Sequence, residues 1–400
     1  MLVEGLSEAG DGMHVVSIED PANPTVVSVV ETTSHTWTCV TDVPTGNGCG
    51  WAYGRGTAQK AGTAQIIDLR EPASPELLSE GWRQAIGDGG LYIHDLTEIR
   101  PGLVMTAGEK PALMDTTDAA RPELLVRIDA DDHEGFPIGR TFPSLGYHSV
   151  EWARGGADDF LVMGTEIAPS TAAPLDATGS DCEGENSVIE TWDARAVRDA
   201  VTEYERLRDV DGVSRPAAAT LVFGEDRDAV NFHLVDFFDA SGQGNYREGK
   251  ALTHVLYCAH WMEVDPSWEN GGRLVVGYYN RGVRFVDVPA FDANDESEME
   301  EIGWFLGADA YTGSAQWVTD TIVYVSDYAR GLDIVEIDPQ AEMTGYYTAD
   351  SSLADRELTM ARLDEFGIAP PVENDAPHGV LTITRTALAA AAVLRRRVTA

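Results

Sequence analysis

The chain has 400 residues, 43% of them apolar, enough for one large all-β domain or two ordinary ones. Asp and Glu total 67 against 28 Lys and Arg, a formal net charge of −39. A field of that sign repels phosphates and excludes nucleic acid as a partner. Its self-repulsion subsides at molar salt, where the Debye length is about 3 Å, so the composition points to a salt-loving source.

The opening "MLVEGLSEAGDG" has neither the basic start nor the apolar run of a secretory leader. Strand pattern begins at Gly12 with "GMHVVSIEDPANPTVVSVV", so the first structural unit is expected to lack its leading strands. Next, Cys39 and Cys49 flank the turn-rich "DVPTGNG", which reads as a hairpin closed by a disulfide, with Cys182 and Cys258 left as the second pair. Four cysteines without a CxxC or two close pairs of zinc ligands suit two disulfides, and so an extracellular or cell-surface location. "GTAQIIDLREPASPELL" from Gly62 and "KPALMDTTDAARPELL" from Lys110 repeat the order strand, acidic turn, proline, strand. Pro24, Pro75 and Pro122 stand at the same point of each copy, where a missing N–H costs little.

A second marker runs in parallel. "TSHTWTCV", "YIHDLTEI", "GYHSVEWA", "CAHWMEVD" and "SAQWVTDT" place His35, His94, His148, His260 and Gln316 ahead of short strands. The interval is about 55 residues, doubled once between His148 and His260. Insertions near 166–186 and 194–250 fill the doubled interval. Within it, Val197, Val201, Tyr204 and Leu207 have helical spacing, predicting a small helix near 194–208, and "RPAAATLVF" at Arg215 is expected to resume the strand copy.

The clearest copies come last. "RLVVGYYNRGVRFVDVP" and "TIVYVSDYARGLDIVEIDP" align Tyr279, Arg281 and Gly282 with Tyr328, Arg330 and Gly331. Both faces of the following strand carry apolar residues, as in a strand covered on both sides. A period of about 55 residues with about four short strands per copy is that of a β-propeller blade. The expected fold is all-β, a propeller of six or seven four-stranded blades over 1–347, the first incomplete. Residues 348–400 form a C-terminal extension, in which the apolar run Ala387 to Leu394 and three arginines suggest a short helix and a basic tail. Eight residues cannot span a bilayer, which needs about 20, so no transmembrane segment is expected.

These copies, with "CAHWMEVDPSWENGGRLVVGYYNRGVRFVDV", resemble the LVIVD-repeat proteins over roughly residues 12 to 347. That resemblance implies an extracellular β-propeller without an assigned activity.

In a propeller the innermost strands line a channel, so His35, His94, His148, His260 and Gln316 are candidates for a polar ligand-binding channel. The four histidines could hold a transition metal, with Asp95, Glu151 and Glu263 as neighbours, which would support an oxidoreductase or hydrolase. Alternatively, such a repeated polar residue hydrogen-bonds the next blade's backbone. Tyr279, Arg281, Tyr328 and Arg330 form a second candidate patch, aromatic and cationic, suited to sugars or carboxylates; in the alternative reading the arginines brace their turns. "DADDHEG" (Asp129 to Gly135) and "DANDESE" (Asp292 to Glu298) raise calcium, although neither has the EF-hand pattern. Catalytic signatures such as G-x-S-x-G, H-E-x-x-H and the P-loop are absent from the sequence. The sequence therefore favours a monomeric binding or scaffold module for a protein or small polar ligand over an enzyme.

Overall fold

The computed structural model describes residues 2–5, 12–32, 34, 36–55, 64–78, 93–108, 111–128, 147–165, 188–239, 259–279, 282–305, 310–337, 343–348, 378–383 and 393–396. It is all-β, with five four-stranded blades in a β-propeller arrangement. A three-stranded sheet comes first, β1 (Leu2–Gly5), β2 (Met13–Ser17) and β3 (Thr25–Val30). Blade one is β4 (Trp37–Asp42), β5 (Asn47–Arg55), β6 (Ala64–Asp68) and β7 (Glu76–Leu78). Blade two is β8 (Ile93–Arg100), β9 (Leu103–Gly108), β10 (Ala112–Asp115) and β11 (Glu123–Arg127). Blade three is β12 (Tyr147–Glu151), β13 (Phe160–Thr165), β14 (Val188–Asp193) and β15 (His233–Asp239). Blade four is β16 (Met262–Val264), β17 (Gly272–Gly277), β18 (Val283–Val288) and β19 (Glu300–Phe305). Blade five begins with β20 (Thr312–Trp317), β21 (Ile322–Asp327) and β22 (Gly331–Ile337). The chain then forms a separate pair, β23 (Met343–Thr348) and β24 (His378–Ile383), before β25 (Val393–Arg396) takes the fourth place beside β22.

The blade count is thus five, not six or seven. The copy at Gly12 supplies β2 and β3, which with β1 make a sheet of three strands among the described residues, and the doubled interval carries helices between strands of blade three rather than a further blade. At the C-terminus, Val393–Arg396 are extended and pair with Ile334–Ile337, where the sequence suggests a helix; residues 384–392 lie outside the described residues. Among the described residues no helix is long and apolar enough to cross a membrane.

Two compact units contain these sheets: Met1–Met163 with Trp192–Leu234, and Gly164–Thr191 with Val235–Ala400. In the first unit, blade two shows why its strands read as apolar throughout. Leu103, Met105, Leu113 and Leu125 face one cluster, while Leu96, Val104, Met114 and Leu124 face another, shared with Val40, Tyr53 and Ile66 of blade one. Both faces are covered, so strict alternation of apolar and polar residues disappears. The short sheet packs Met13, Val15 and Val30 against Ala52 and Ile67. Cys39 and Cys49 are bridged across the β4–β5 hairpin, Cα–Cα 4.7 Å; Cys182 and Cys258 lie outside the described residues.

Besides a single turn at Ala153–Gly156, the described residues of the same unit hold two longer helices, α1 (Arg195–Arg208) and α2 (Arg215–Phe223). Helix α1 buries Val197, Val201 and Tyr204 as their spacing predicts. The segment "RPAAATLVF" is α2 and not a strand. Ser214 caps it by accepting from the Ala217 N–H, Pro216 sits in its first turn, and its alanines favour helix. This pair covers the edge of blade two: Arg227 donates to the Leu124 carbonyl at 2.9 Å and pairs with Glu123 at 3.0 Å. Edge strands left open invite intermolecular pairing, so this cover is protective. Asp115, fully buried, fixes α1 through Tyr204 and through Arg208 at 3.1 Å. Burial pushes its pKa up, but hydrogen bonds from Thr117 and Tyr204 and the charge of Arg208 hold it below the usual carboxylate range.

In the second unit, Val275, Val283, Phe285 and Phe305 of blade four interleave with Ala315, Trp317, Val323 and Val335 of blade five. The two clearest sequence copies are the hairpins β17–β18 and β21–β22, each turned by a glycine at positive φ, Gly282 at 70° and Gly331 at 84°.

Candidate functional site

His94, His148 and Gln316 lie in the first strands of blades two, three and five, and His260 stands just ahead of that of blade four. In the first unit β4, β8 and β12 are tied in series. Thr36 Oγ1 donates to the His94 carbonyl at 3.1 Å, Thr38 Oγ1 to that of Leu96, and the Thr41 N–H to Glu98 at 2.8 Å. His94 Nδ1 then lies 3.2 Å from the His148 carbonyl, with the two rings 4.1 Å apart and tilted by 39°. Because a carbonyl only accepts, His94 carries its proton on Nδ1. The second unit repeats the device: His260 Nδ1 and the Trp261 N–H both donate to the Gly313 carbonyl, and Glu263 accepts from the Trp317 N–H at 2.6 Å.

His94 and His260 are therefore bonds between neighbouring blades. His35 lies outside the described residues. Gln316 is exposed and is not the counterpart of His260, whose partner is Gly313; a register irregularity between Thr312 and Ser314 separates the two. Among the described residues no three His, Cys, Asp or Glu gather as a metal-binding group. The neighbouring carboxylates respond to burial. Burial raises Asp95 to about 7 against hydrogen bonds from Leu96 and Thr36, and raises Glu263 against the Trp317 N–H. Of the acidic loops, Asp129 to Gly135 lies outside the described residues. In the other, Asp292 accepts from the Asn294 and Glu296 N–H groups, which lowers its pKa and makes it a turn-former.

The tyrosines of the repeated turns behave differently. Tyr279 sits 7% exposed at φ 38°, a left-handed conformation that costs a non-glycine residue about 1–2 kcal/mol. Two backbone hydrogen bonds with Thr312, both 3.0 Å, hold it there. Its ring stacks on Tyr311 at 5.1 Å and 29°, and lies 6.4 Å from Tyr328 at 23°. Tyr311 and Tyr328 are 5.3 Å apart, and His260 closes the inner side 4.6 Å from Tyr279. Tyr328 is 64% exposed.

Buried Asp327 fixes this cluster. One carboxylate oxygen accepts from the Tyr311 N–H at 2.9 Å and the Thr312 hydroxyl at 3.2 Å; the other accepts from the Ala329 and Arg330 N–H groups at 3.0 Å. Gly313 is needed beneath it, since a Cβ there would lie 2.6 Å from the Tyr328 ring. Arg330 pairs with Asp333 at 2.7 Å and braces its own turn; Arg281 lies outside the described residues. The structure thus joins Tyr279 and Tyr328, separates Arg330 from them in role, and adds Tyr311, Asp327 and Gly313. The Tyr-x-Arg-Gly repeat marks the first two. Tyr311 lies in no repeated position, and only its place just ahead of β20 could have marked it.

The fold class is a β-propeller module. No family model matches the chain, and no curated protein matches it. Solved structures similar to it include two proteins provisionally assigned as 6-phosphogluconolactonases. The one from Bacteroides fragilis has a TM-score of 0.40 at 10% identity, covering 85% of this chain and 91% of that one. The one from Bacteroides uniformis has a TM-score of 0.45 at 10% identity, covering 84% and 78%. Sqt1 of Chaetomium thermophilum, bound to the N-terminus of the ribosomal protein L10, has a TM-score of 0.42 at 10% identity, covering 84% and 66%.

Proposed function

We propose that this chain is a salt-adapted, exported or cell-surface propeller of the LVIVD-repeat kind that works as a binding module, with the tyrosine cluster as its recognition face. The observation that carries this reading is the arrangement of Tyr279, Tyr311 and Tyr328 around Asp327, with Tyr328 64% exposed. Aromatic rings held rigidly before binding lose little entropy when a ligand arrives, and tyrosine presents an apolar body with a polar tip. Export is supported by the Cys39–Cys49 bridge, which suits an oxidising compartment. A formal charge of −39 supports a high-salt setting. The partner is a protein or a small polar ligand, met by a monomer.

The test is binding of the purified chain to the envelope fraction of its source in molar KCl. Wild type should bind saturably and Tyr328→Ala should lose most of that binding; equal binding by both contradicts the reading. In protein isolated from its source, Cys39 and Cys49 should resist alkylation until reduced, and free thiols there would argue against export.

A further inference from the structure

We propose that the tyrosine face takes a neutral saccharide, with a pyranose ring stacked on the exposed ring of Tyr328 and bordered by Tyr311, whose ring is tilted by 50° to it; this rests on the reading of that face as the recognition surface. Ring spacing comes first. Inserting a flat group between two parallel rings requires a centroid separation of about 7 Å, two van der Waals contacts of about 3.5 Å each. Tyr279 lies 5.1 Å from Tyr311 and 6.4 Å from Tyr328, so these rings fill each other's gaps. A quaternary ammonium cage, which surrounds its cation with several ring faces, does not fit this packing. What remains is one-sided stacking on an exposed face.

Charge narrows the ligand further. Arg330 of the same turn is engaged by Asp333 at 2.7 Å, which leaves its charge less available to a phosphate, sulfate or uronate. A neutral pyranose has an apolar C–H face for the ring and hydroxyl groups that stay in water. Such contact does not depend on ionic attraction, so salt screening leaves it intact. The platform is also fixed in advance: Asp327 holds Tyr311 and the 328–330 turn, and Gly313 leaves room for the Tyr328 ring. Pre-organisation matters most for shallow sites, where little binding energy is available to order the protein.

Isothermal titration of the full chain in molar KCl tests this. The probes are neutral hexasaccharides of glucose, mannose and N-acetylglucosamine, with tetramethylammonium and a hexamer of galacturonate as charged comparators. At least one neutral hexasaccharide should bind saturably, and Tyr328→Ala should weaken it roughly tenfold or more, the loss expected for one stacking ring. Tyr328→Trp, which keeps a stacking face, and Leu221→Ala, on exposed α2, should stay within about threefold of wild type. Unfolding midpoints and near-ultraviolet dichroism confirm that each variant is folded. Failure of every neutral probe, or unchanged affinity in Tyr328→Ala, overturns the proposal. Tyr328-dependent binding of a charged comparator alone overturns the saccharide assignment while leaving the recognition face in place. Envelope binding that ignores Tyr328 removes the recognition face itself.

Discussion

The carboxylate of Asp327 accepts the backbone N–H of Tyr311 at 2.9 Å, and through its other oxygen it organises the turn that carries Tyr328. Two tyrosines 17 positions apart thus share one buried anchor. Asp327→Asn turns one acceptor into a donor facing an N–H, leaving buried groups unsatisfied. A loss of about 1–3 kcal/mol is expected in denaturant unfolding. The near-ultraviolet dichroism of the tyrosines should fall with it, and an unchanged spectrum would show that the rings do not need this anchor.

His94 joins blade two to blade three by its bond to the His148 carbonyl. His94→Ala should cost about 1–3 kcal/mol, because it removes a hydrogen bond made at a buried backbone carbonyl. His94→Gln, which can still donate, should cost less. Chemical denaturation in molar KCl distinguishes the two, and equal losses would mean that ring packing rather than the bond matters.

Asp95 makes stability depend on pH. Burial raises its folded pKa to about 7 from the ordinary 3.8. In the unfolded chain the proton leaves near 3.8, whereas in the folded chain it stays until about 7. The unfolded state therefore binds fewer protons across that window, and stability falls as pH rises through it, by up to ~1.4 kcal/mol per pH unit. Asp95→Asn should flatten the slope and be the more stable protein at pH 8. A slope unchanged in Asp95→Asn would assign it to other groups.

Removing the Cys39–Cys49 bridge should lower stability by about 2–3 kcal/mol, the loop-closure value for a sequence separation of 10. The double variant Cys39→Ser, Cys49→Ser and reduced wild type should agree in denaturant midpoint. A large gap between them would point to a second bridge among the remaining cysteines.

The sequence carried the blades well where glycine turns and β-branched runs coincide, as in β17–β18 and β21–β22, since both local rules favour one hairpin. It carried α2 badly. Leu221, Val222 and Phe223 read as a strand, while Ser214 and Pro216 carried the helix-start signal that prevailed. Gln316 shared a spacing with the histidines but not a register, because the irregularity near Thr312 moves the blade-to-blade contact to Gly313. A count of intervals does not register such a shift. Tyr279 and Tyr328 were legible as repeat positions. Tyr311 was not, since its place beside them depends on the Tyr279–Thr312 backbone pairing, a contact made between blades.

The most direct test of the recognition face is hydroxyl-radical footprinting of the full chain in molar KCl, with and without the envelope fraction of its source. Tyr328 and Tyr311 should become protected while Tyr324, on the neighbouring strand β21, keeps its reactivity. Protection that falls elsewhere, with Tyr328 as reactive as in the free chain, would contradict the account.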